Sequence, residues 1–103
     1  MLVPPTVLAE ASYLIKKYLG ADAEVKFLRS FVTGDFQLVD ITDEDMVRIT
    51  DLCETYRDLP LGVTDASVVA IAERLHVRDI TTLDRKHFSV VRPSHCKSFN
   101  LLP

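Results

Sequence analysis

The segment "GVTDASVVAIAERLHVRDITTLD", residues 62 to 84, constrains the fold more than any other part of the chain. Its apolar run leaves little polar face and predicts a central helix, with Thr64 as N-cap and an end near His76. "RDITTL" then predicts a buried strand that ends at Asp84. Because a helix followed by a short apolar strand is typical of α/β units, the segment favours an α/β sandwich with a mainly parallel sheet.

The rest of the chain alternates in the same way. Pro4 and Pro5 open a first helix that stops at Gly20, and a second helix is predicted from about Ala21 to Val32. "FQLVDI" predicts a strand, Thr42 the start of a third helix, and "KSFNLL" a last strand. The inner stripe of the third helix is predicted to consist of Met46, Ile49, Cys53 and Tyr56.

Length and composition favour a single domain, residues 1–103, without linker or repeat. An apolar share of 48% and a charged share of 26% are ordinary for a globular chain. Nowhere do about eighteen apolar residues occur together, and no basic leader precedes an apolar run, which favours a cytoplasmic protein without a membrane segment. Cys53 and Cys96 are interpreted as reduced thiols, with no zinc pattern around them.

The net charge of −3 is unevenly distributed. Residues 1–73 contain six Lys/Arg and thirteen Asp/Glu, whereas residues 74–103 contain six and two, together with all three histidines. This asymmetry is compatible with an anionic ligand beside a carboxylate cluster, and also with a scattered solvated surface.

Three carboxylates occupy positions that suit a shared site. Asp65 is predicted in the first turn of the central helix, Asp84 at the carboxyl end of the following strand, and Glu10 beside the apolar stripe of the first helix. Taken singly, they are better explained as a dipole partner, a turn-forming cap and a solvated flank residue, respectively. Taken together, converging carboxylates most naturally bind a hard divalent cation such as Mg²⁺ or Mn²⁺, which activates water for attack on a phosphate.

The sequence then resembles a known family. "VLAEASYLI", "YRDLPLGVTDASVVAIAERL", "DITTLDRKHFSVVRP" and "FNLLP" look like the PIN-domain nucleases, in particular the VapC-type toxins of prokaryotic toxin–antitoxin pairs. The similarity runs from about Val3 to Pro103. It implies a three-layer PIN-like α/β sandwich with a mainly parallel central sheet, and a Mg²⁺- or Mn²⁺-dependent endoribonuclease that hydrolyses RNA phosphodiester bonds.

The resemblance also implies roles and partners. In the family a quartet of acids forms the metal site, and the match assigns Asp65 as the direct ligand, with Glu10 and Asp84 shaping the site and positioning the water. A homodimer, and inhibition by a small cognate antitoxin, are family expectations as well.

One departure from the family concerns the N-terminus. The family begins with a strand carrying "D-x-S" or "D-x-T", which supplies the first acid, and then a helix, whereas this chain starts after both and is expected to be N-terminally truncated. Three explanations are open: a fragment of a complete toxin, which we favour, a second chain that supplies the strand, or a degenerate member kept for binding. Because the first acid is missing from residues 1–103, this chain is not expected to cleave RNA efficiently by itself.

Two other functions compete with the ribonuclease. The first is a non-catalytic antitoxin-binding or dimerisation module of the same fold. The second, which disregards the resemblance, is a flavodoxin-like ligand-binding domain in which paired acids bind magnesium for regulation. The "TLD" followed by "RKHF" argues mildly against the second.

Overall fold

The computed structural model describes residues 1–59, 61–81 and 100–102. The chain divides into two compact units, residues 1–41 (unit 1) and residues 42–103 (unit 2). Each unit combines two helices with a pair of parallel strands in its described part. The prediction of an α/β chain with parallel strand pairing is therefore confirmed for the described residues.

Unit 1 places two helices between two short strands. The strand β1 (Leu2–Val3) pairs in parallel with β2 (Gln37–Leu38), and the chain between them forms α1 (Pro5–Leu19) and α2 (Ala21–Thr33). Backbone hydrogen bonds of 2.8 and 2.9 Å connect the two strand segments. Because parallel strands need a crossover connection, the two helices together serve as that connection.

Proline and glycine set the helix boundaries of unit 1. Pro4 holds the extended conformation before α1, and Pro5 is the first helical residue, where its missing N–H costs nothing. Gly20 and Gly34, with φ of 93° and 91°, end α1 and α2 in backbone conformations that side chains disfavour. These are the boundaries that the sequence predicts, to within one residue.

Three phenylalanines connect the end of α2 to β2. Ring centroids of Phe27, Phe31 and Phe36 lie 5.4 to 5.9 Å apart, with Phe31 edge-on to both others. Such tilted and edge-to-face pairs are the favoured aromatic geometry and add about 0.5–1.5 kcal/mol each beyond burial. The cluster is thus a local stabiliser of unit 1, in which neither helix contains a buried residue.

Unit 2 contains α3 (Asp43–Thr55), α4 (Val63–Leu75), and the strands β3 (Asp79–Thr81) and β4 (Asn100–Leu102), which pair in parallel. After α4, His76 adopts the left-handed conformation with φ of 55°. The next backbone N–H then donates at 2.8 Å to a carbonyl in the last turn of α4. This helix end turns the chain toward β3 within a few residues.

The core of unit 2 is built on α4. Leu52 of α3 is 1% exposed and Val69 of α4 is fully buried. Small residues around Val69 let neighbouring backbone approach closely. The buried apolar residues of α3, α4 and the segment between them are Ile49, Leu52, Leu61, Ala66, Val69, Ala70, Ile71 and Ala72.

Two sequence predictions for unit 2 differ from the structure. The N-cap of α4 is Gly62 rather than Thr64, so the helix begins at Val63. Glycine makes no side-chain cap there, Val63 is 55% exposed, and the buried part of the helix begins at Ala66. On α3, Met46 is 49% exposed and Leu52 is buried, so the inner stripe is rotated by about one position from the predicted one.

Candidate active site

Asp65 lies in the first turn of α4, as the sequence predicts. Its side chain is half-buried, and the two residues that follow it, Ala66 and Ser67, are fully buried. The positive end of the helix dipole favours a negative charge at this position. Asp65 is therefore a carboxylate held at the end of the most buried helix of unit 2.

Ser67 braces the same turn. Its hydroxyl donates a 2.6 Å hydrogen bond to the backbone carbonyl of Thr64, and the residue is fully buried. A buried hydroxyl satisfied by the backbone one turn earlier fixes its own rotamer and the local helical geometry. The backbone that carries Asp65 is consequently rigid on both sides of that residue.

Two ion pairs join α3 to α4. Arg48 donates through Nε and Nη2 to the two carboxylate oxygens of Glu73, at 2.7 and 2.9 Å, and Arg74 donates through Nε to both oxygens of Asp45, at 3.2 and 3.1 Å. Each helix thus contributes one arginine and one acid. Because paired charges on both helices must meet, the pairs restrict both the rotation and the axial position of α4.

Asp45 has a second task at the start of α3. Its side chain accepts a 3.0 Å hydrogen bond from the backbone N–H of Thr42, and its own N–H donates to the Thr42 hydroxyl at 3.1 Å, a complete capping box. Burial alone would raise the pKa of Asp45, but the hydrogen bond from Thr42 and the charge of Arg74 outweigh it and lower the pKa. The carboxylate is therefore stabilised in its charged form.

Glu73 is the other buried acid of the network. Its side chain is 7% exposed, and its hydrogen bonds and charge raise the pKa of the Arg48 guanidinium, despite partial burial that acts in the opposite direction. Asp65 lies about 12 Å along α4 from Glu73, given a rise of about 1.5 Å per residue. The ion pairs thus bear on Asp65 through the position of the helix that carries it.

Glu10 lies in unit 1, on α1, and is exposed. Tyr13 and Lys17 follow it at spacings of three and seven residues and are exposed as well, so the three side chains share one face of the helix. Glu10 and Asp65 belong to different units, each described by itself. The assignment of Glu10 to a site with Asp65 stays a prediction.

Asp84 lies outside the described residues. Among residues 1–59, 61–81 and 100–102, no three His, Cys, Asp or Glu side chains come together in a group that could hold a metal ion. The described donors nevertheless have the chemistry that Mg²⁺ and Mn²⁺ prefer, because Glu10 and Asp65 both supply hard carboxylate oxygens and Asp65 is held on a rigid helix turn.

Sequence reasoning missed the role of the acids that join α3 to α4. Neither Asp45 nor Glu73 is among the residues that the sequence analysis assigns to a core or a site. A signal was present, since Asp45, Ile49 and Leu52 recur at spacings of four and three and put Asp45 on the inner stripe. A charged residue in such a stripe indicates a buried ion pair.

Comparison with known proteins gives two matches. The model of the PIN domain family matches residues 1–92. Ribonuclease VapC26 of Mycobacterium tuberculosis (strain ATCC 25618 / H37Rv) is 35% identical over 103 residues, which is all of this chain and 76% of that protein. Within the described ranges, none of the helices has the length and apolar character needed to cross a membrane.

Proposed function

Because the chain belongs to the PIN-domain family, we propose that it is a VapC-type ribonuclease, the toxin of a toxin–antitoxin pair, which hydrolyses RNA phosphodiester bonds. The observation that carries the proposal is the 35% identity over the whole chain to a protein named as a ribonuclease. In this proposal residues 1–103 form one domain with the three-layer sandwich of the family, in the cytoplasm, where RNA and a VapB-type antitoxin are its partners. A homodimer is part of the same proposal.

The proposed site uses three acids of this chain. Asp65 binds Mg²⁺ or Mn²⁺ directly, while Glu10 and Asp84 shape the site and position the attacking water. The nucleases of the PIN family use divalent metal ions, and such an ion polarises a phosphate oxygen and lowers the pKa of water. The chain's contribution is to hold Asp65 in place, since the hydroxyl of Ser67 donates to the carbonyl of Thr64 across the first turn of α4 and two ion pairs join α4 to α3.

The test is RNA cleavage by Asp65→Asn. We expect cleavage that requires Mg²⁺ or Mn²⁺, and a loss of at least about a hundredfold in the variant, because an amide replaces a direct ligand by a neutral one. Asp43→Asn is the matched control, since Asp43 occupies the first turn of α3 as Asp65 does that of α4, and is exposed. Full cleavage by Asp65→Asn would sink the site assignment.

Three acids of the family quartet are assigned in this proposal, and the first acid, which the family carries in "D-x-S" or "D-x-T", is not assigned. The assay is therefore run on this chain and on a version extended by any codons that lie in frame upstream of Met1. Higher metal-dependent cleavage by the extended version indicates that the first acid lies upstream, and equal cleavage by both indicates that it does not.

A non-catalytic binding module is the second candidate, and an apolar stripe on α2 favours it. Val25, Leu28 and Val32 recur at spacings of three and four residues and are 49, 38 and 86% exposed. An exposed stripe of this kind is typical of a surface that a protein partner covers. This candidate predicts stable complexes with an antitoxin or a second copy, and no cleavage by either version of the chain.

A further inference from the structure

The outward face of α1 carries aromatic and cationic side chains next to Glu10. Tyr13 and Lys17 lie one and two turns beyond it, at about 4.5 and 10.5 Å along the helix axis. Tyr18 is the next residue along the helix, and its ring also lies near the Lys17 ammonium. Tyr13, Lys17 and Tyr18 are called the Tyr–Lys cluster below.

The cluster is organised around one ammonium group. The Nζ atom of Lys17 lies 5.9 Å from the ring centroid of Tyr13 and 5.3 Å from that of Tyr18. Both distances fall within the range of cation–π attraction. The two tyrosines are 64% and 71% exposed, so both side chains lie on the solvent-accessible surface. A positive charge flanked by two accessible rings is thereby held on the surface of the helix.

The local charge differs from that of the whole chain. Between Glu10 and Asp22 the sequence contains Lys16 and Lys17 and no acidic residue, although the chain carries a net charge of −3. A polyanion is repelled by the overall charge and attracted only where cations collect. The second half of α1 is such a place in unit 1.

We propose that the Tyr–Lys cluster is a contact site for single-stranded RNA, with bases stacked on Tyr13 and Tyr18 and a backbone phosphate paired with Lys17. Exposed aromatic rings beside cations are the common means by which proteins bind single strands without reading their sequence. The positive charge of the cluster complements the phosphates of RNA. An apolar protein helix would instead suit the apolar stripe on α2. The choice of RNA over other single strands rests on the proposed function.

The position of the cluster defines its use. Tyr13 and Lys17 continue the helix face of Glu10 over about 10.5 Å, which is the length of about three stacked nucleotides at about 3.4 Å each. The cluster therefore binds nucleotides on one side of the phosphate that is cleaved near Glu10. It supplies affinity and orientation, and takes no part in the bond-breaking step.

The test measures the binding of a short fluorescein-labelled oligouridine by fluorescence anisotropy, in EDTA so that no metal-dependent cleavage occurs. Tyr13→Ala combined with Tyr18→Ala is expected to raise Kd by at least about tenfold, and the double Phe variant to stay within about twofold, because phenyl rings still stack. Lys17→Gln is expected to raise Kd and to reduce the slope of log Kd against log salt by about 0.7, the loss of one phosphate contact on a single strand.

Lys26→Gln on α2 is the matched control for charge, since Lys26 is also an exposed helical lysine of unit 1. A Lys17→Gln effect no larger than that of the control overturns the proposal, as does a parent chain without measurable affinity for the oligouridine. Variants that bind RNA like the parent but no longer self-associate in light scattering also overturn it, and identify the face as a contact between copies. The binding assay does not measure cleavage. A loss of RNA affinity in the cluster variants therefore supports the RNA contact site even if Asp65→Asn has no effect on cleavage, and the two proposals can fail independently.

Discussion

The helices α1 and α4 are similar in length and apolar content, yet they have opposite roles. No residue of α1 is buried, whereas seven of the thirteen residues of α4 are. This difference in burial follows from the side chains of the two helices. The Ala, Ser and Val residues of α4 are small and pack closely, whereas the tyrosines and lysines of α1 are large and carry polar groups that favour contact with solvent. A buried helix such as α4 fixes the position of a side chain such as that of Asp65, whereas a helix such as α1, with large exposed side chains, has a surface open to a partner.

The largest expected effect tests whether stability resides in the α3–α4 core. Leu52→Ala should lower the free energy of unfolding by about 2–5 kcal/mol, because Leu52 is 1% exposed and its truncation leaves a cavity. Leu19→Ala on α1 is the matched control and should change it by less than about 0.5 kcal/mol, since Leu19 is 73% exposed. Urea unfolding followed by circular dichroism measures both, and equal losses would contradict the comparison.

A smaller effect is expected where the two helices of unit 2 are joined by charge. Glu73→Gln should lower the free energy of unfolding by about 1–3 kcal/mol, because it removes a charged acceptor from two hydrogen bonds and leaves the half-exposed Arg48 without its counter-ion. Glu54→Gln, an exposed change on α3, should stay within about 0.5 kcal/mol. Combining Glu73→Gln with Arg48→Gln gives the coupling energy, and additive losses would show that the pair contributes nothing.

The same contrast explains what sequence alone can predict. Pro5, Gly20, Gly34 and Thr42 act on the backbone of their own neighbours, so the bounds of α1, α2 and α3 follow from local rules. The position of Asp65 in the first turn of a helix also follows from its neighbours in the sequence. The existence of α4 and its place as the most buried helix follow from an apolar run that no surface helix could expose.

What sequence reasoning missed depends on distant partners. The pairing of Asp45 with Arg74 joins residues 29 apart, and that of Arg48 with Glu73 residues 25 apart. Nothing in the local sequence states which arginine will meet which acid, because that depends on how α3 packs against α4. Likewise the N-cap position of Gly62 rather than Thr64 does not follow from capping chemistry, because Gly62 has no capping side chain and the buried residues of α4 begin only at Ala66.

The smallest expected effect separates the two tasks of Asp45 by pH. Its folded-state pKa lies below the ordinary value of 3.8, so its charge stabilises the fold above that value, and this stabilisation is lost as the pH falls through the folded-state pKa. The stability difference between the parent chain and Asp45→Asn should therefore be full at neutral pH and shrink below about pH 4. Asp43→Asn removes a charge from the same first turn and keeps the Asp45–Arg74 pair, and therefore corrects for the helix dipole. Urea unfolding at a series of pH values measures the three proteins. A difference near zero at every pH would show that capping, which an asparagine also performs, is what Asp45 contributes to unit 2, and a difference that stays constant down to about pH 2 would show that the contribution does not come from the carboxylate charge.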